Sequence, residues 1–340
     1  MSQPQTDRLR PAIHPTYSRL LCAHLQQLGF DNATIFAGTR LHWEQLLSEH
    51  RYLSLEQLGR LIHRAVDLTG QPWIGLDIGG MTAVSAHGSL GYAVVSAPDV
   101  RTVLEVVTRY VGVRLRLTEI ALEETDSGVA LVLHERMDLA ETREFIHGGL
   151  LATYFQLVDT VSSRRLRDAR VSLPFEAPPW AAVYEERLGC PVTFGAPRFR
   201  IELSAATLAT PCLTADPALH RTAVRDCEHQ LRQLQGGGPL SQQIGNCLLE
   251  STDYPSLEAM ADRFAMSRRT LIRKLKAEGT SYQELLDEVR RELAAWYLLE
   301  THEPIERVAE RLGYQDTSNF SRTFRRWFGV TPLAMRNRAS

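Results

Sequence analysis

Two stretches near the C-terminus decide how this chain is read: Ser256-Leu-Glu-Ala-Met-Ala-Asp-Arg-Phe264 and Pro304-Ile-Glu-Arg-Val-Ala-Glu-Arg-Leu-Gly-Tyr314. In the first, Leu257, Met260, Ala261 and Phe264 fall at i, i+3, i+4 and i+7, the spacing that puts apolar side chains on one helix face. In the second, Ile305, Val308, Ala309 and Leu312 repeat it. Ser256 is placed to cap the first helix, and Pro304 suits the first position of the second. A tight break follows each: Ala265-Met266-Ser267 in one, Gly313-Tyr314 in the other. A second short helix then runs from Arg268 to about Ala277, stopping at Gly279, and from about Thr317 to Phe328, stopping at Gly329. Ser281 and Glu284 have capping-box spacing for a helix between the pairs that continues to about Glu300.

The second helix of each pair carries the chemistry. In 268–277, Leu271 and Leu275 face inward, while Arg269, Ile272, Arg273 and Lys276 share the opposite side with Arg268 nearby. Residues 267–276 hold five basic side chains and no acid. In 317–328, Phe320, Phe324 and Trp327 or Phe328 anchor the helix. Ser318, Arg322 and Arg325 form an outward row, with Thr317, Asn319, Ser321 and Arg326 beside it. The acids lie elsewhere, at Glu284, Asp287, Glu288, Glu292, Glu303, Glu306 and Glu310. Arginine can bond two acceptors on guanine in the major groove, and Asn, Ser and Thr read bases more weakly or hold phosphates. One basic helix face is ordinarily a solvated surface. Two acid-free faces on duplicated supports point to double-stranded DNA. A connecting helix of about 18 residues spans roughly 27 Å, and successive major grooves on one side of B-DNA lie about 34 Å apart.

Bulk charge shows none of this. The 340 residues carry a net charge of −2, with 38 basic and 40 acidic side chains. From residue 240 onward there are 15 basic and 14 acidic groups, a net of +1, which leaves 23 against 26 for the remainder, a net of −3. With 44% hydrophobic and 23% charged residues, the chain is neither disordered nor fibrous, and it has length for two or three packed domains. Met1–Arg10 is polar, and no apolar run reaches the roughly 18 residues a membrane span needs; a soluble, cytoplasmic protein is expected. Cys22, Cys190, Cys212, Cys227 and Cys247 are scattered and include no Cys-x-x-Cys pair, so reduced, buried thiols are expected.

Gln235-Gly-Gly-Gly-Pro239 marks the boundary. The expected organisation is a domain over 1–235, a linker over 236–240, and an all-α domain over 241–340 with helix-turn-helix motifs at about 256–277 and 304–328 joined by a long helix. The larger domain mixes periods. Ser54–Thr69, Val100–Tyr110 and Thr142–Arg167 read as helix. Val113, Leu115 and Leu117 alternate with Arg114, Arg116 and Thr118 as a strand. Asp126-Ser127-Gly128 is a turn, followed by Val129, Leu131 and Leu133 as the partner strand. Val171–Leu173 and Arg198–Leu203 are further strands, giving an α+β domain with an antiparallel sheet.

Catalytic signatures fail. Gly88-Ser89-Leu90-Gly91 places its serine beside the first glycine, not at the centre of Gly-x-Ser-x-Gly. Gly75 to Gly91 lacks a phosphate-loop lysine and Gly-x-Gly-x-x-Gly spacing, so turns and close packing explain its glycines. No His-Glu-x-x-His and no Cys/His cluster occurs, and neither a metal nor another cofactor is expected. Arg114 and Arg116, on the polar side of a strand, and His87, in the glycine-rich stretch, are weak candidates for a ligand contact. A pocket arginine would suit an acidic effector, but solvated arginines on a sheet face are commoner. The competing reading is an enzyme or ligand carrier whose C-terminal helices make protein contacts.

The C-terminal hundred residues resemble the AraC/XylS family of regulators. The resemblance rests on Ser256-Leu-Glu-Ala-Met-Ala261, Met266-Ser-Arg-Arg-Thr-Leu-Ile-Arg-Lys-Leu-Lys276, Ile305-x-x-Val-Ala-x-x-Leu-Gly-Tyr314 and Ser318-Asn-Phe-Ser-Arg-Thr-Phe-Arg-Arg-Trp-Phe-Gly-Val-Thr-Pro332. It implies that Arg269, Ile272 and Arg273 occupy the base-reading face of the first motif, and Thr317, Ser318, Ser321 and Arg322 that of the second. Ile272 departs from the polar residue common there and suits a thymine methyl; Arg326 stands where lysine is more frequent. Ile74-Gly-Leu-Asp-Ile-Gly79, Gly88-Ser-Leu-Gly-Tyr92, Tyr184-Glu-Glu-Arg-Leu-Gly-Cys-Pro-Val-Thr-Phe-Gly195 and Leu208-Ala-Thr-Pro211 resemble the effector-sensing domain of the OruR-like branch, of arabinose-binding type but not a cupin barrel. That likeness implies a small-molecule effector and leaves dimerisation open. The expected partners are promoter DNA, an effector of unknown identity and RNA polymerase, with pairing to a second copy of the chain left open.

Overall fold

The computed structural model describes residues 8–9, 11–39, 41–47, 52–163, 165–235, 239–251, 254–300 and 303–337. Their coordinates divide into two units: residues 11–235, and residues 236–340 together with the first ten. The glycines at 236–238, read above as linker, lie outside the described residues.

In the larger unit, strand β1 (Pro11–Ile13) pairs antiparallel with β2 (Leu53–Ser54). Helices α1 (Pro15–Gln27), α2 (Asn32–Phe36), α3 (Trp43–Leu47), α4 (Leu55–Thr69), α5 (Ile74–Met81), α6 (Ser89–Val95) and α7 (Val100–Tyr110) precede the main sheet. Ser54 starts α4 through the reciprocal capping box with Gln57, and Gly70 ends it in the left-handed conformation (φ 65°). Strands β3 (Thr118–Thr125) and β4 (Gly128–Glu135) form a hairpin around Asp126 and Ser127. After α8 (Arg143–Ser162) come β5 (Arg170–Ser172), α9 (Ala181–Leu188), β6 (Val192–Thr193), β7 (Phe199–Ser204), α10 (Ala205–Leu208) and α11 (Pro217–Gln235).

The sheet order is β3-β4-β7-β5-β6. It is mixed rather than wholly antiparallel, because the short edge strand β6 runs parallel to β5. β4 is flanked by β3 and β7, and all of Gly128–Leu133 is buried, so Ala130 and Val132 are covered as fully as Val129, Leu131 and Leu133. The strand expected at 113–118 starts later. Val111–Val113 closes α7 as a 3-10 turn, Leu115 makes one isolated bridge to Ile13, and regular pairing begins at Thr118. Val113, Leu115 and Leu117 are nevertheless buried, so the alternation recorded burial in an irregular segment.

The glycine-rich stretch also differs from a loop. Gly75 and Gly79 lie inside α5, where a Cβ would stand 2.4 Å from the Phe145 carbonyl oxygen and 2.2 Å from that of Gly149. Absent side chains thus let α5 and α8 touch backbone to backbone, and close packing, not turning, accounts for these residues.

The smaller unit holds α12 (Leu240–Glu250), α13 (Leu257–Arg263), α14 (Arg268–Ala277), α15 (Tyr282–Glu300), α16 (Ile305–Arg311), α17 (Thr317–Phe328) and α18 (Pro332–Asn337). Leu9 is buried in this unit's apolar cluster, with Leu240, Ile244 and Leu248. The first turn of α12 is capped from a distance: the Glu278 carboxylate accepts from the amides of Leu240 (2.9 Å) and Ser241 (2.8 Å). The box at Ser281 is half made. The Glu284 amide donates to Ser281 Oγ (3.3 Å), but the Glu284 carboxylate takes the Ser281 and Thr280 hydroxyls. All five cysteines carry free thiols, and among the described residues no helix is long and apolar enough to cross a membrane.

Candidate nucleic-acid interface

The pairs α13–α14 and α16–α17 are built alike in the turn and in the cap of the second helix. In the first turn, Ala265 sits at φ 50° and the Met266 amide returns to the Ala261 carbonyl (2.9 Å). In the second, Gly313 sits at φ 74° and the Tyr314 amide returns to the Ala309 carbonyl (3.0 Å). These bonds satisfy the carbonyls a helix leaves open at its end and send the chain off sharply. The next helix then starts on a side-chain cap: Ser267 Oγ accepts from the Thr270 amide (3.2 Å), and Asp316 Oδ1 from the Asn319 amide (2.6 Å). Such caps are each worth about 1 kcal/mol.

The apolar supports match too. Met260, Ala261, Leu271 and Leu275 in one pair, and Val308, Ala309, Phe320 and Phe324 in the other, are at most 2% exposed. Met260 corresponds to Val308, 48 positions on, and Leu271 to Phe320, 49 on, so the second turn is one residue longer. Aromatic rings extend the second support, with centroids 5.5 Å apart for Phe320–Phe324 and 4.5 Å for Phe324–Phe328, while Trp327 meets Tyr314 edge-on. Trp327 and Phe328 therefore both anchor the helix. Truncating either buried phenylalanine to alanine would cost about 3–5 kcal/mol.

With Leu271 and Leu275 inside, the opposite face of α14 is open. Arg268, Arg269, Ile272, Arg273 and Lys276 are all exposed, and Ile272 is 46% exposed despite its apolar side chain. On α17, Ser318, Asn319, Arg322, Arg325 and Arg326 are exposed, and Thr317 and Ser321 half-buried. Two of the expected contact residues already hold carboxylates: Arg268 pairs with Glu258 on α13 (3.0 Å), and Arg326 with Asp287 on α15 (3.5 Å). Among the described residues no ion pair engages Arg269, Arg273, Lys276, Arg322 or Arg325. Exposed pairs are worth at most about 1 kcal/mol, so a phosphate can displace either partner.

Sequence reading missed the side chain that ties the two pairs together. Arg290, on α15, stacks over the Tyr254 ring (4.8 Å to its centroid) and over the Tyr314 ring (5.1 Å). Tyr254 precedes the first pair and Tyr314 lies in the turn of the second. Burial pushes both phenols up, and the guanidinium works against it. The Tyr282 hydroxyl also donates to the Pro255 carbonyl. No local signal marks these contacts, because the partners are 24 to 36 positions apart (314 − 290 and 290 − 254).

Comparison with known families fits this geometry. The sequence model of the arabinose-binding domain found N-terminally in AraC transcription regulators matches residues 29–212, and that of a helix-turn-helix domain matches residues 260–338. The chain belongs to the AraC-type transcription regulators. This AraC-type regulator is 32% identical over 317 residues to the ornithine utilization regulator of Pseudomonas aeruginosa, covering 93% of this chain and 94% of that one. It is 37% identical over 157 residues to the transcriptional regulator VirS of Mycobacterium tuberculosis, 46% of each chain. Among solved structures, the regulator CdpR of Pseudomonas aeruginosa aligns over 95% of this chain and 98% of its own at 25% identity, with a TM-score of 0.47. The protein is a DNA-binding transcription regulator with an effector domain, not an enzyme.

Proposed function

We propose that α13–α14 and α16–α17 are two helix-turn-helix units, joined by α15, that enter consecutive major grooves of one promoter. The observation that carries this is the twice-used turn. The same closing hydrogen bond and corresponding buried positions present an acid-free cationic face in both pairs. Arg269, Ile272 and Arg273 on α14, and Thr317, Ser318, Ser321 and Arg322 on α17, face the bases. Arg268, Lys276, Asn319, Arg325 and Arg326 hold phosphates or flanking positions. Residues 11–235 form the effector-binding and dimerising domain, and 240–340 form the DNA-binding domain, with which the first ten residues group; the expected bounds of 1–235 and 241–340 move accordingly. The protein acts in the cytoplasm together with RNA polymerase. The name of the ornithine utilization regulator makes ornithine one compound to try as effector.

Mobility shift with DNA upstream of the regulated gene tests the reading. Full-length protein should retard it, with affinity falling steeply as salt rises. Arg273→Ala and Arg322→Ala should each lose about 1–3 kcal/mol and relax specificity at one base pair. No retardation at moderate salt would leave the C-terminal helices to protein contacts instead, and a loss equal on all sequences would make both arginines phosphate ligands only.

A further inference from the structure

The larger unit encloses a cationic cluster with no acid to balance it. Arg114 Nε donates to the His87 carbonyl (2.9 Å), and its Nη1 lies 2.8 Å from His14 Nε2. Neither the His87 carbonyl nor the His14 ring carries a negative charge, and among the described residues no carboxylate pairs with Arg114. The guanidinium occupies the space a side chain would need at Gly88: a Cβ there would stand 1.7 Å from Nη2, and Gly88 has a φ of 59°. The glycine of Gly88-Ser-Leu-Gly-Tyr92 thus makes room for Arg114.

Around it stand donors without acceptors. Tyr17 Oη lies 3.0 Å from His87 Nδ1. Burial, and then the charge of Arg114, push the His87 ring down to about 4, so it is neutral at ordinary pH. In the tautomer in which Tyr17 donates to Nδ1, the ring proton sits on Nε2. His87 Nε2 is buried with no hydrogen-bond partner among the described residues, and so is Tyr154 Oη, on α8. His87 is 3% exposed and Tyr154 5%. Tyr154 lies within electrostatic reach of Tyr17, and Tyr17 within that of Arg114. Buried donors are nearly always satisfied in folded proteins, because an unpaired one costs about 1–3 kcal/mol. One orphan belongs to the histidine whose own carbonyl holds Arg114, the other to a tyrosine that reaches the cluster through Tyr17, and an acceptor arriving from outside would satisfy them.

We infer that Arg114, His87 and Tyr154 form the effector site, and that it takes a small organic monocarboxylate bearing no ammonium group. This rests on the reading of the larger unit as the effector domain. Arg114 and the two free donors would hold the carboxylate, while the rings of Tyr17 and Tyr52 border the same cluster. A cationic group on the ligand would need a carboxylate partner, and among the described residues none is hydrogen-bonded or ion-paired to Tyr17, Tyr52, His87, Tyr154 or Arg114.

The test is thermal unfolding of the full chain at constant ionic strength with benzoate, phenylacetate and hexanoate, each against its amide, and with ornithine. At 100 times its Kd, a bound carboxylate should raise Tm by about 5–10 °C, and neither its amide nor ornithine should. Arg114→Gln should abolish the shift. Because Arg114 also holds His14 and the His87 carbonyl, Tyr154→Phe is the second variant. It should not lower the ligand-free Tm, since the hydroxyl has no partner to lose and leaving it buried is itself a cost, and it should weaken carboxylate binding at least tenfold. The assignment is overturned if no carboxylate outperforms its amide, if ornithine matches the best of them, or if Tyr154→Phe binds as tightly as the parent. Mobility shift on the same preparations separates the two readings: retardation with silent carboxylates removes the site and leaves the regulator.

Discussion

Gly313→Ala tests how the second turn is built. At φ 74°, alanine costs about 1–2 kcal/mol that glycine does not. Its Cβ would also stand 3.0 Å from Arg290 Nη2 and 3.0 Å from Tyr254 Cδ2. The guanidinium is the movable end of a side chain, but it is held over two rings, at 4.8 and 5.1 Å. Pushing it aside weakens contacts worth about 0.5–1 kcal/mol each. The expected loss is therefore about 2–3 kcal/mol, on the order of 10 °C for a unit of this size. Ala265→Gly is the internal control: the matching turn already carries alanine at φ 50°, so glycine there should gain up to about 1 kcal/mol. Calorimetry of the full chain reads both. A Gly313→Ala transition within 2 °C of the parent, or an Ala265→Gly variant as damaged as Gly313→Ala, would refute the strain argument.

Gly79→Ala would set its Cβ 2.2 Å from the Gly149 carbonyl oxygen and 2.9 Å from the Ala152 Cβ. Neither can yield without parting α5 from α8, so a loss above about 3 kcal/mol is expected in urea unfolding, and a change under 1 kcal/mol would contradict the packing. His87 gives stability a pH dependence of definite sign. The unfolded ring takes a proton near its usual 6.5 and the folded ring only near 4, so its contribution is flat above 6.5 and falls as pH drops from 6.5 to 4, by about 3 kcal/mol in all. His87→Gln should flatten the urea midpoint across that window; an unchanged slope would place the effect elsewhere. Asp287→Asn releases Arg326 and removes an acid near the proposed interface, so affinity for promoter DNA should rise about two- to fivefold at low salt. Weaker binding would show that the pair positions α17 rather than restrains Arg326.

Much of the smaller unit was legible along the chain because its decisive interactions are local. Caps at Ser256, Ser267 and Asp316 and left-handed turns near 265 and 313 act within four or five residues. The i, i+3, i+4 spacing that buries Leu271 or Phe320 also dictates that Arg273 or Arg322 point away. The larger unit was read less well where its order is long-range. The alternation at 113–118 matched burial but not strand pairing, and the parallel register of β6 depends on partners 21 positions away (192 − 171). The glycines of 75–79 look like loop residues until α8 is laid against them.

The amino-acid order alone determined that two helix pairs would form near the C-terminus and which face of each would be cationic, since helix periodicity and capping are settled by near neighbours. Only the tertiary structure decided that Arg290 would stand between Tyr254 and Tyr314, and that Arg114 would lie half-buried beside His87 with no carboxylate paired to it among the described residues. Such meetings follow from chain closure over tens of residues, and no periodicity along the sequence records which side chains that closure brings together.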